Sequence, residues 1–298
     1  MNRREFLVGA AAAAGAVGCR SVPCGEGRIL FGACRPPADA KLMASVGYDF
    51  FEYAVAPALG PNKGAEWWKR QKEMLLSLPL PMRSCNGFIP GTFRLTGPKA
   101  DFAPALDYAE TALRRAEEVG VKTVVFGSGG ARNVPGDICG AREQAPQPER
   151  GVEQYTEFCR LLCDRVKDLR TVTVVIEPLR PNESNIINYV WQGVQICNDV
   201  GSPRLRQLAD IFHMMMGRED AESIVRAGSL LRHCHIASYG TRQFPGSDPA
   251  TVSRLKPYFD ALRAIGYTGG VSCECGWGEA ASLGKNLETA LRTMKGLV

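Results

Sequence analysis

Short apolar segments alternate with longer amphipathic segments along most of this chain, and Gly or Pro lies at many of the joints. Such alternation predicts successive βα units, in which helices connect parallel strands. The strand candidates are Ile29–Ala33, Phe50–Tyr53, Met82–Asn86, Thr123–Gly127, Val172–Glu177, Gln207–Ile211, Leu231–Ala237 and Val271–Cys275. The helix candidates are Glu66–Leu78, Ala105–Val119, Gln154–Leu169, Tyr189–Val200, Ala221–Ala227, Ser253–Ile265 and Ala280–Lys295.

Parallel strands in this number close most simply into a barrel. The chain has 298 residues, and α/β barrels commonly form one domain of about 250 residues. An open doubly wound sheet is the alternative, but no Gly-x-Gly-x-x-Gly follows the first strand and the sequence has no P-loop. We therefore predict an α/β fold, a single-domain (β/α)8 barrel over residues 25–298, with the long segment 128–150 covering its active site.

The composition is that of a globular protein, with 45% hydrophobic and 22% charged residues. Its 36 basic and 31 acidic side chains give a formal charge of +5, which is too small and too evenly spread to indicate a nucleic-acid partner. The 11 Cys form no Cys-x-x-Cys pair. We expect most of them to be buried as small apolar side chains, although an oxidising compartment would also allow disulfides.

The amino terminus carries the pattern of an export signal. Arg3 and Arg4 precede Phe6 and an apolar stretch rich in Ala and Gly, which resembles the bacterial twin-arginine signal. The small residues before Cys19 also resemble a lipobox, in which the Cys is lipidated; plain cleavage near Cys19 or Cys24 is the alternative. We predict a signal over residues 1–24 and an exported protein, either periplasmic or held at the membrane by a lipid on Cys19.

Three carboxylates and one imidazole lie at or near the carboxyl ends of the last four predicted strands, where barrel active sites are built. These residues are Glu177, Asp210, His235 and Glu274. Burying three carboxylates together costs several kcal/mol unless a cation balances them. The sequence therefore predicts one divalent metal ion, and the oxygen-rich ligand set favours Mn²⁺ or Mg²⁺, with Co²⁺ or Zn²⁺ as alternatives.

A single acidic residue at a strand end has a simpler interpretation, in which its carboxylate accepts backbone hydrogen bonds. We prefer that interpretation for Glu52 and for Glu183 when each is considered alone. His233 lies two residues before His235 on the same strand face, and we expect it to be a hydrogen-bonded core residue rather than a ligand.

With these motifs the chain resembles the xylose isomerase-like TIM-barrel superfamily, in the sugar isomerase and epimerase branch that includes hydroxypyruvate isomerases and ketose 3-epimerases. The resemblance rests on Ile176-Glu177-Pro178, Asp210-Ile211-Phe212-His213, the run from His233 to Ala237, Arg242 with Pro245, and the run from Gly266 to Gly270 before Glu274. It implies that Glu177, Asp210, His235 and Glu274 bind the metal, and that Glu183, His213 and Arg242 contact the substrate.

The predicted function is that of a divalent-metal-dependent isomerase or epimerase of a small sugar or keto-sugar. The metal would hold a carbonyl and the adjacent hydroxyl and stabilise the enediolate. Glu177 and Glu274 would remove and return a proton on opposite faces of the substrate. A small carbohydrate is the expected partner, and a homo-oligomer is compatible with the sequence.

Three alternatives use the same scaffold. A lyase or dehydratase would expel a β-leaving group from the enediolate. A non-catalytic sugar-binding barrel would use the rings of Trp67, Trp68 and Phe88, although packing of the Trp rings on the barrel explains them equally well. An endonuclease with three zinc ions is excluded, because the chain has only 3 His.

Overall fold

A closed barrel of eight parallel strands forms the centre of the molecule, and each strand pairs with the next one in sequence until β8 pairs with β1. The structure, a computed structural model, describes residues 27–135 and 148–298. The strands are β1 Leu30–Cys34, β2 Phe50–Ala54, β3 Met82–Asn86, β4 Thr123–Phe126, β5 Thr173–Ile176, β6 Leu205–Asp210, β7 Leu231–Ile236 and β8 Gly270–Cys273. The predicted (β/α)8 barrel is confirmed, and the strand ends lie within two residues of those predicted.

Helices surround the barrel on its outer face. They are α1 Ala40–Val46, α2 Val55–Leu59, α3 Ala65–Leu76, α4 Phe102–Glu118, α5 Gly129–Arg132, α6 Pro148–Arg165, α7 Val190–Val200, α8 Ile211–Gly217, α9 Glu222–Ala227, α10 Pro249–Ala264 and α11 Leu283–Lys295. The seven predicted helices are all present. The predictions missed α1, α2, α5 and α8, which span at most seven residues each and are too short for a repeated apolar stripe.

The helix α4 illustrates how the sequence builds the outer layer. The side chain of Asp101 caps its first turn by accepting a hydrogen bond from the Ala103 amide. Leu106, Ala109 and Leu113 then recur at helical spacing and are buried against the strands. This apolar stripe is therefore the buried face of the helix.

The interior of the barrel is more polar than its outer layer. Val125, Val175 and Leu208 form a separate apolar cluster inside the strands. Other buried positions of the strands carry polar side chains, namely Glu52, Ser84, Thr123, Gln207, Asp210, His233, His235 and Ser272. A barrel interior normally consists of layers of branched apolar residues, so this composition indicates that the centre of the barrel serves the site.

The aromatic rings considered for sugar stacking belong to the core. Phe88 is fully buried and packs edge-to-face on Phe126 at a centroid distance of 5.4 Å. Trp68 is buried, and its indole nitrogen donates to Glu118 on α4 at 3.2 Å. Trp67 packs against the core from α3. The hypothesis that these rings bind sugar is therefore wrong for Trp68 and Phe88.

Several predictions concern segments with little or no description. The predicted signal over residues 1–24, with Cys19 and Cys24, lies outside the described residues, and so does the central part of the segment 128–150, residues 136–147. The eight Cys in the described ranges are free thiols, and six of them are buried as expected. Among the described residues, no helix has the length and apolar character needed to cross a membrane.

Candidate metal centre

The four predicted ligands meet at the carboxyl-terminal mouth of the barrel. Asp210 is the last residue of β6 and His235 the penultimate residue of β7, while Glu177 and Glu274 directly follow β5 and β8. Each residue offers one ligand atom, and these four atoms all lie within 4.8 Å of one another. The spacing along the sequence therefore brings the donors together from four successive strands.

His235 is oriented by acidic side chains on both sides of its ring. Its Nε2 lies 2.9 Å from Glu52 Oε1, and its Nδ1 lies 3.2 Å from Glu177 Oε1 and 3.6 Å from Glu274 Oε2. Burial lowers the pKa of His235, but Glu52 and Glu274 outweigh this effect and hold its pKa well above the ordinary value. Either a proton or a metal ion must therefore lie between Nδ1 and the carboxylates.

Glu52 on β2 is the functional residue that the sequence prediction misjudged. It is completely buried, and its two oxygens contact His235 Nε2 at 2.9 Å and His233 Nε2 at 2.8 Å, so its partners are imidazoles rather than backbone amides. Burial raises the pKa of Glu52, but His235 and His233 lower it by a larger amount, so the pKa lies below its usual range. Because the Glu52 carboxylate accepts a hydrogen bond from Nε2 of His235, the Nδ1 atom of the same ring is the one left to bind a metal. The sequence signal for this role of Glu52 was its position two residues after Phe50, which places both side chains on the inner face of β2.

Glu177 occupies a space that the preceding strand leaves open. A Cβ atom on Gly127 would lie only 2.1 Å from Glu177 Oε2, so a side chain at this position would displace the carboxylate. Buried Arg132 fixes the backbone here, because its guanidinium donates to the carbonyl of Glu177 at 2.9 Å and to that of Ile187 at 3.1 Å. Burial and the charges of Glu274 and Asp210 raise the pKa of Glu177.

Asp210 connects the end of β6 to the start of α8. Its Oδ1 accepts a hydrogen bond from the His213 amide at 3.0 Å, which caps the helix and fixes the carboxylate. Burial raises the pKa of Asp210, but His213 and His235 bring it below the ordinary value. The strand was predicted to continue through Ile211; instead this residue begins α8, because the Asp210 side chain caps the chain at that point.

His213 is buried with both ring nitrogens lacking a hydrogen-bond partner among the described residues. Its Nε2 lies 3.4 Å from Asp210 Oδ2 and 3.7 Å from Glu183 Oε2, so it borders the metal centre. Buried polar groups normally have partners. A ligand hydroxyl at this position would supply one, in agreement with the predicted substrate contact.

Glu274 is held by two hydrogen bonds from outside the ligand set. Asn86 at the end of β3 donates to Oε1 at 2.9 Å, and the guanidinium of Arg242 donates to Oε2 at 2.7 Å. Arg242 also donates to Glu183 at 3.0 Å, which draws the three predicted substrate contacts toward one side of the centre. Asn86 was not predicted, because an amide at a strand end has no distinctive sequence signal.

The carboxylate of Glu183 is bound by arginine side chains and not by backbone amides, which the sequence had favoured for this residue considered alone. Its Oε1 accepts hydrogen bonds from Arg180 at 2.8 Å and from Arg242 at 3.0 Å. Both guanidiniums lie over the ring of Phe212, at 5.1 Å and 5.0 Å from its centroid. This arrangement of Arg180, Phe212 and Arg242 gives the mouth a rigid cationic wall beside the carboxylates.

The residues of the centre fit a divalent ion. Three carboxylates and the Nδ1 atom of an imidazole are the hard, oxygen-rich donors of Mn²⁺ and Mg²⁺, and the same set accommodates Zn²⁺ or Co²⁺. Cys34, Glu52 and His235 form a second group of suitable donors. Burial, Glu52 and Glu274 raise the pKa of the Cys34 thiol, and a neutral thiol is a poor ligand, so the four-residue group is the better site.

Known proteins share this architecture. The family described as "xylose isomerase-like TIM barrel" matches residues 40–297. The D-psicose 3-epimerase of Agrobacterium fabrum is 31% identical over 133 residues, which are 44% of this chain and 43% of that protein. The chain therefore aligns with less than half the length of this curated relative.

Solved structures agree in fold over nearly the whole chain. The D-psicose 3-epimerase from Clostridium cellulolyticum H10, solved with D-tagatose, superposes with a TM-score of 0.75 at 19% identity and covers 90% of this chain and 99% of that one. The 3-keto-D-glucoside 4-epimerase of E. coli gives a TM-score of 0.73 at 18% identity and covers 90% and 100%. The family match, which extends over most of the barrel, shows that this chain belongs to the xylose isomerase-like TIM-barrel family.

Proposed function

We propose that this protein is a divalent-metal-dependent epimerase or isomerase of a small keto-sugar. The observation that carries the proposal is the placement of two carboxylates, Glu177 and Glu274, against one imidazole nitrogen, His235 Nδ1, at 3.2 Å and 3.6 Å. Such a cluster can bind an ion and can also offer two separate groups for proton transfer. Relatives named as epimerases of ketoses and of a 3-keto-glucoside support the substrate class.

The metal would be held by Glu177, Asp210, His235 and Glu274. When bound, a divalent ion supplies Lewis-acid polarisation of a carbonyl and its neighbouring hydroxyl. Removal of the proton on the hydroxyl-bearing carbon next to the carbonyl is the step that epimerisation and aldose–ketose isomerisation share. The remaining residues of the mouth then decide where that proton goes.

Glu177 and Glu274 are the proposed proton-transfer groups. Glu177 is buried, and burial, Glu274 and Asp210 raise its pKa, so it can hold a proton at a higher pH than an ordinary Glu. Glu274 is partly exposed, follows β8 rather than β5, and is fixed by Asn86 and Arg242. Two fixed groups allow a proton to leave one face of the substrate and return on the other.

The other side chains of the mouth suit a ligand rich in hydroxyl groups. The ring nitrogens of His213 have no hydrogen-bond partner in the described part of the chain and can donate to or accept from a hydroxyl. Arg242 presents a guanidinium beside Glu274, and Glu183 adds an acceptor. We propose that these three residues bind and orient the sugar.

Deuterium uptake tests the reaction. Purified protein is stripped with a chelator, reloaded separately with Mn²⁺, Mg²⁺, Co²⁺ or Zn²⁺, and incubated in D₂O with ketoses and 3-keto-glycosides. We expect a new stereoisomer or isomer that carries deuterium at the reacting carbon. Loss of water or of an aglycone would identify a lyase instead, and full activity in excess chelator would contradict the metal.

The variant Glu274→Gln tests the assignment of the proton-transfer groups. We expect turnover to fall by about 10²–10⁴-fold, the usual contribution of a general acid or base, while the metal-free variant stays folded, as its thermal unfolding in chelator will show. Glu279→Gln is the matched control, because it makes the same change at an exposed position five residues later. Equal activity of the two variants would rule out the role of Glu274.

A further inference from the structure

A cavity of about 230 Å³ lies at the amino-terminal mouth of the barrel, opposite the candidate metal centre. Its walls include the first residues of five strands, Leu30, Phe50, Thr123, Thr173 and Gly270. Neither the four candidate ligands nor the proposed substrate contacts line it. It is therefore a separate site from the one that the proposed function uses.

Three cationic residues and no acidic residue line this cavity. They are Arg83, Lys122 and Arg232, and all three are partly buried. Within the described ranges, the side chains of Arg83 and Lys122 have neither a hydrogen bond nor an ion pair. Arg232 donates only to the carbonyls of Ser229 at 2.7 Å and Leu231 at 3.2 Å. The positive charge of the cavity is thus not balanced from within it.

Both arginines lie at irregularities of the barrel strands. On β3 the register moves from Met82 to Ser84 while β2 advances by one residue, which leaves Arg83 as an extra residue. On β7 it moves in the same way from Leu231 to His233, which leaves Arg232 as the extra residue. A bulge redirects the side chain of its extra residue, so two strands bring an arginine to the same mouth by the same device.

Buried polar groups border the cavity beside these cations. Thr123 Oγ1 donates to Ser84 Oγ at 3.0 Å, and Ser84 Oγ lies 3.3 Å from His233 Nε2. All three of these residues line the cavity. Because the Thr123 hydroxyl already donates within this group, the guanidinium and ammonium groups are the donors available to a tetrahedral oxyanion.

We propose that the cavity binds a small oxyanion, namely a phosphate group that is either free or carried by a small metabolite. A neutral ligand would leave the three cations without a counter-charge. The cavity is smaller than the roughly 300–1,000 Å³ typical of pockets for drug-sized ligands, which limits the ligand to a phosphate or a compact phosphomonoester.

Calorimetric titration of the purified full-length protein tests this site. Inorganic phosphate and glycerol 3-phosphate are titrated separately, with sodium chloride of matched ionic strength as the reference. We expect saturable binding of at least one phosphate compound and none of chloride. Tighter binding of glycerol 3-phosphate points to a phosphorylated metabolite, and tighter binding of inorganic phosphate points to the free ion.

Variants locate the binding. Arg83→Met and Lys122→Met should each weaken phosphate binding roughly tenfold or more, because each removes a charge-assisted hydrogen bond. Arg70→Met on the exposed face of α3 and Arg242→Met at the opposite mouth should leave it unchanged. Thermal unfolding of every variant checks that the fold is kept. Because two cavity variants are made, the test still decides the question if one of them fails to fold.

Three outcomes would overturn the proposal. The first is the absence of saturable phosphate binding above the chloride reference. The second is an equal loss of binding in Arg70→Met, which would indicate general charge attraction. The third is a loss of binding confined to Arg242→Met, which would place the anion at the metal centre.

Discussion

At the scale of single residues, the candidate centre depends on acidic groups placed on both sides of one imidazole. Glu52 contacts His235 Nε2, while Glu177 and Glu274 approach Nδ1. The sequence predicted that Glu177 and Glu274 lie near His235, because these residues and Asp210 lie at the ends of the last four strands. Its alternation could place Glu52 inside the barrel but could not reveal its partner, because a Glu within an apolar strand has the same sequence appearance whether it contacts a backbone amide or a ring.

Glu52→Gln should weaken metal binding. The change keeps the size of the side chain but removes the charge that makes His235 a better donor, and loss of such an outer contact typically costs about 10–100-fold in affinity. Competition between the protein and a coloured chelator for Mn²⁺ measures the effect. Glu73→Gln, an exposed position on α3, is the control, and equal dissociation constants for the two variants would contradict the assigned role.

Metal binding should release a proton at neutral pH. In the metal-free protein Glu52 and Glu274 hold the pKa of His235 well above its ordinary value despite burial, so the imidazole keeps its second proton to a higher pH than an ordinary His. A metal ion at Nδ1 must displace that proton, and about one proton should leave per ion. Affinity should therefore rise with pH until pH passes the His235 pKa of the metal-free protein.

Calorimetry of metal binding in buffers that differ in ionisation enthalpy measures this release. The apparent binding enthalpy should change from buffer to buffer in proportion to that ionisation enthalpy. An enthalpy that is the same in every buffer would mean that Nδ1 carries no proton before the metal binds.

At the scale of elements, the predictions succeeded where a pattern repeats and failed where one contact decides. Helix α4 repeats its apolar spacing over several turns, and its position was predicted correctly. Helix α8 is short and begins where the Asp210 side chain accepts the His213 amide. A single cap of this kind competes with continuation of the strand, and only the folded environment decides between them.

Gly127→Ala should impair the centre through the loop that follows β4. The new Cβ would lie 2.1 Å from Glu177 Oε2, so the carboxylate must leave its present position, and we expect metal affinity to fall by roughly tenfold or more. Gly284→Ala in α11 is the control, since its Cβ would only touch Leu42 at 3.6 Å. Chelator competition compares the two, and equal affinity of the two variants would contradict the claim that metal binding depends on this position of the Glu177 carboxylate.

At the scale of the whole molecule, the proposed ligands come from β5, β6, β7 and β8, so one ion would tie together half of the barrel. Alternation of strands and helices was sufficient to predict the closed barrel. It was not sufficient to predict the polar barrel interior or the cavity at its amino-terminal mouth, because the bulges at Arg83 and Arg232 depend on strand register.

An ion that binds only the folded barrel should raise its unfolding temperature. At an ion concentration 100 times the dissociation constant the gain is about 2.7 kcal/mol, which corresponds to a shift of several degrees for a chain of this size. Differential scanning calorimetry with Mn²⁺ and with chelator measures the shift. Glu274→Gln should show a smaller shift than Glu279→Gln, and identical shifts would argue against Glu274 as a ligand.

The hydrogen bonds along the barrel axis have a consequence for how this sequence can change over time. Four different strands contribute to one continuous series of hydrogen-bonded side chains, which runs through Thr123, Ser84, His233, Glu52 and His235. An aliphatic replacement of any one of these residues removes the hydrogen-bond partner of its buried neighbours, which destabilises the fold. Homologues should therefore keep all five of these residues or replace them together. Homologues that no longer bind the ion should have replaced the whole series.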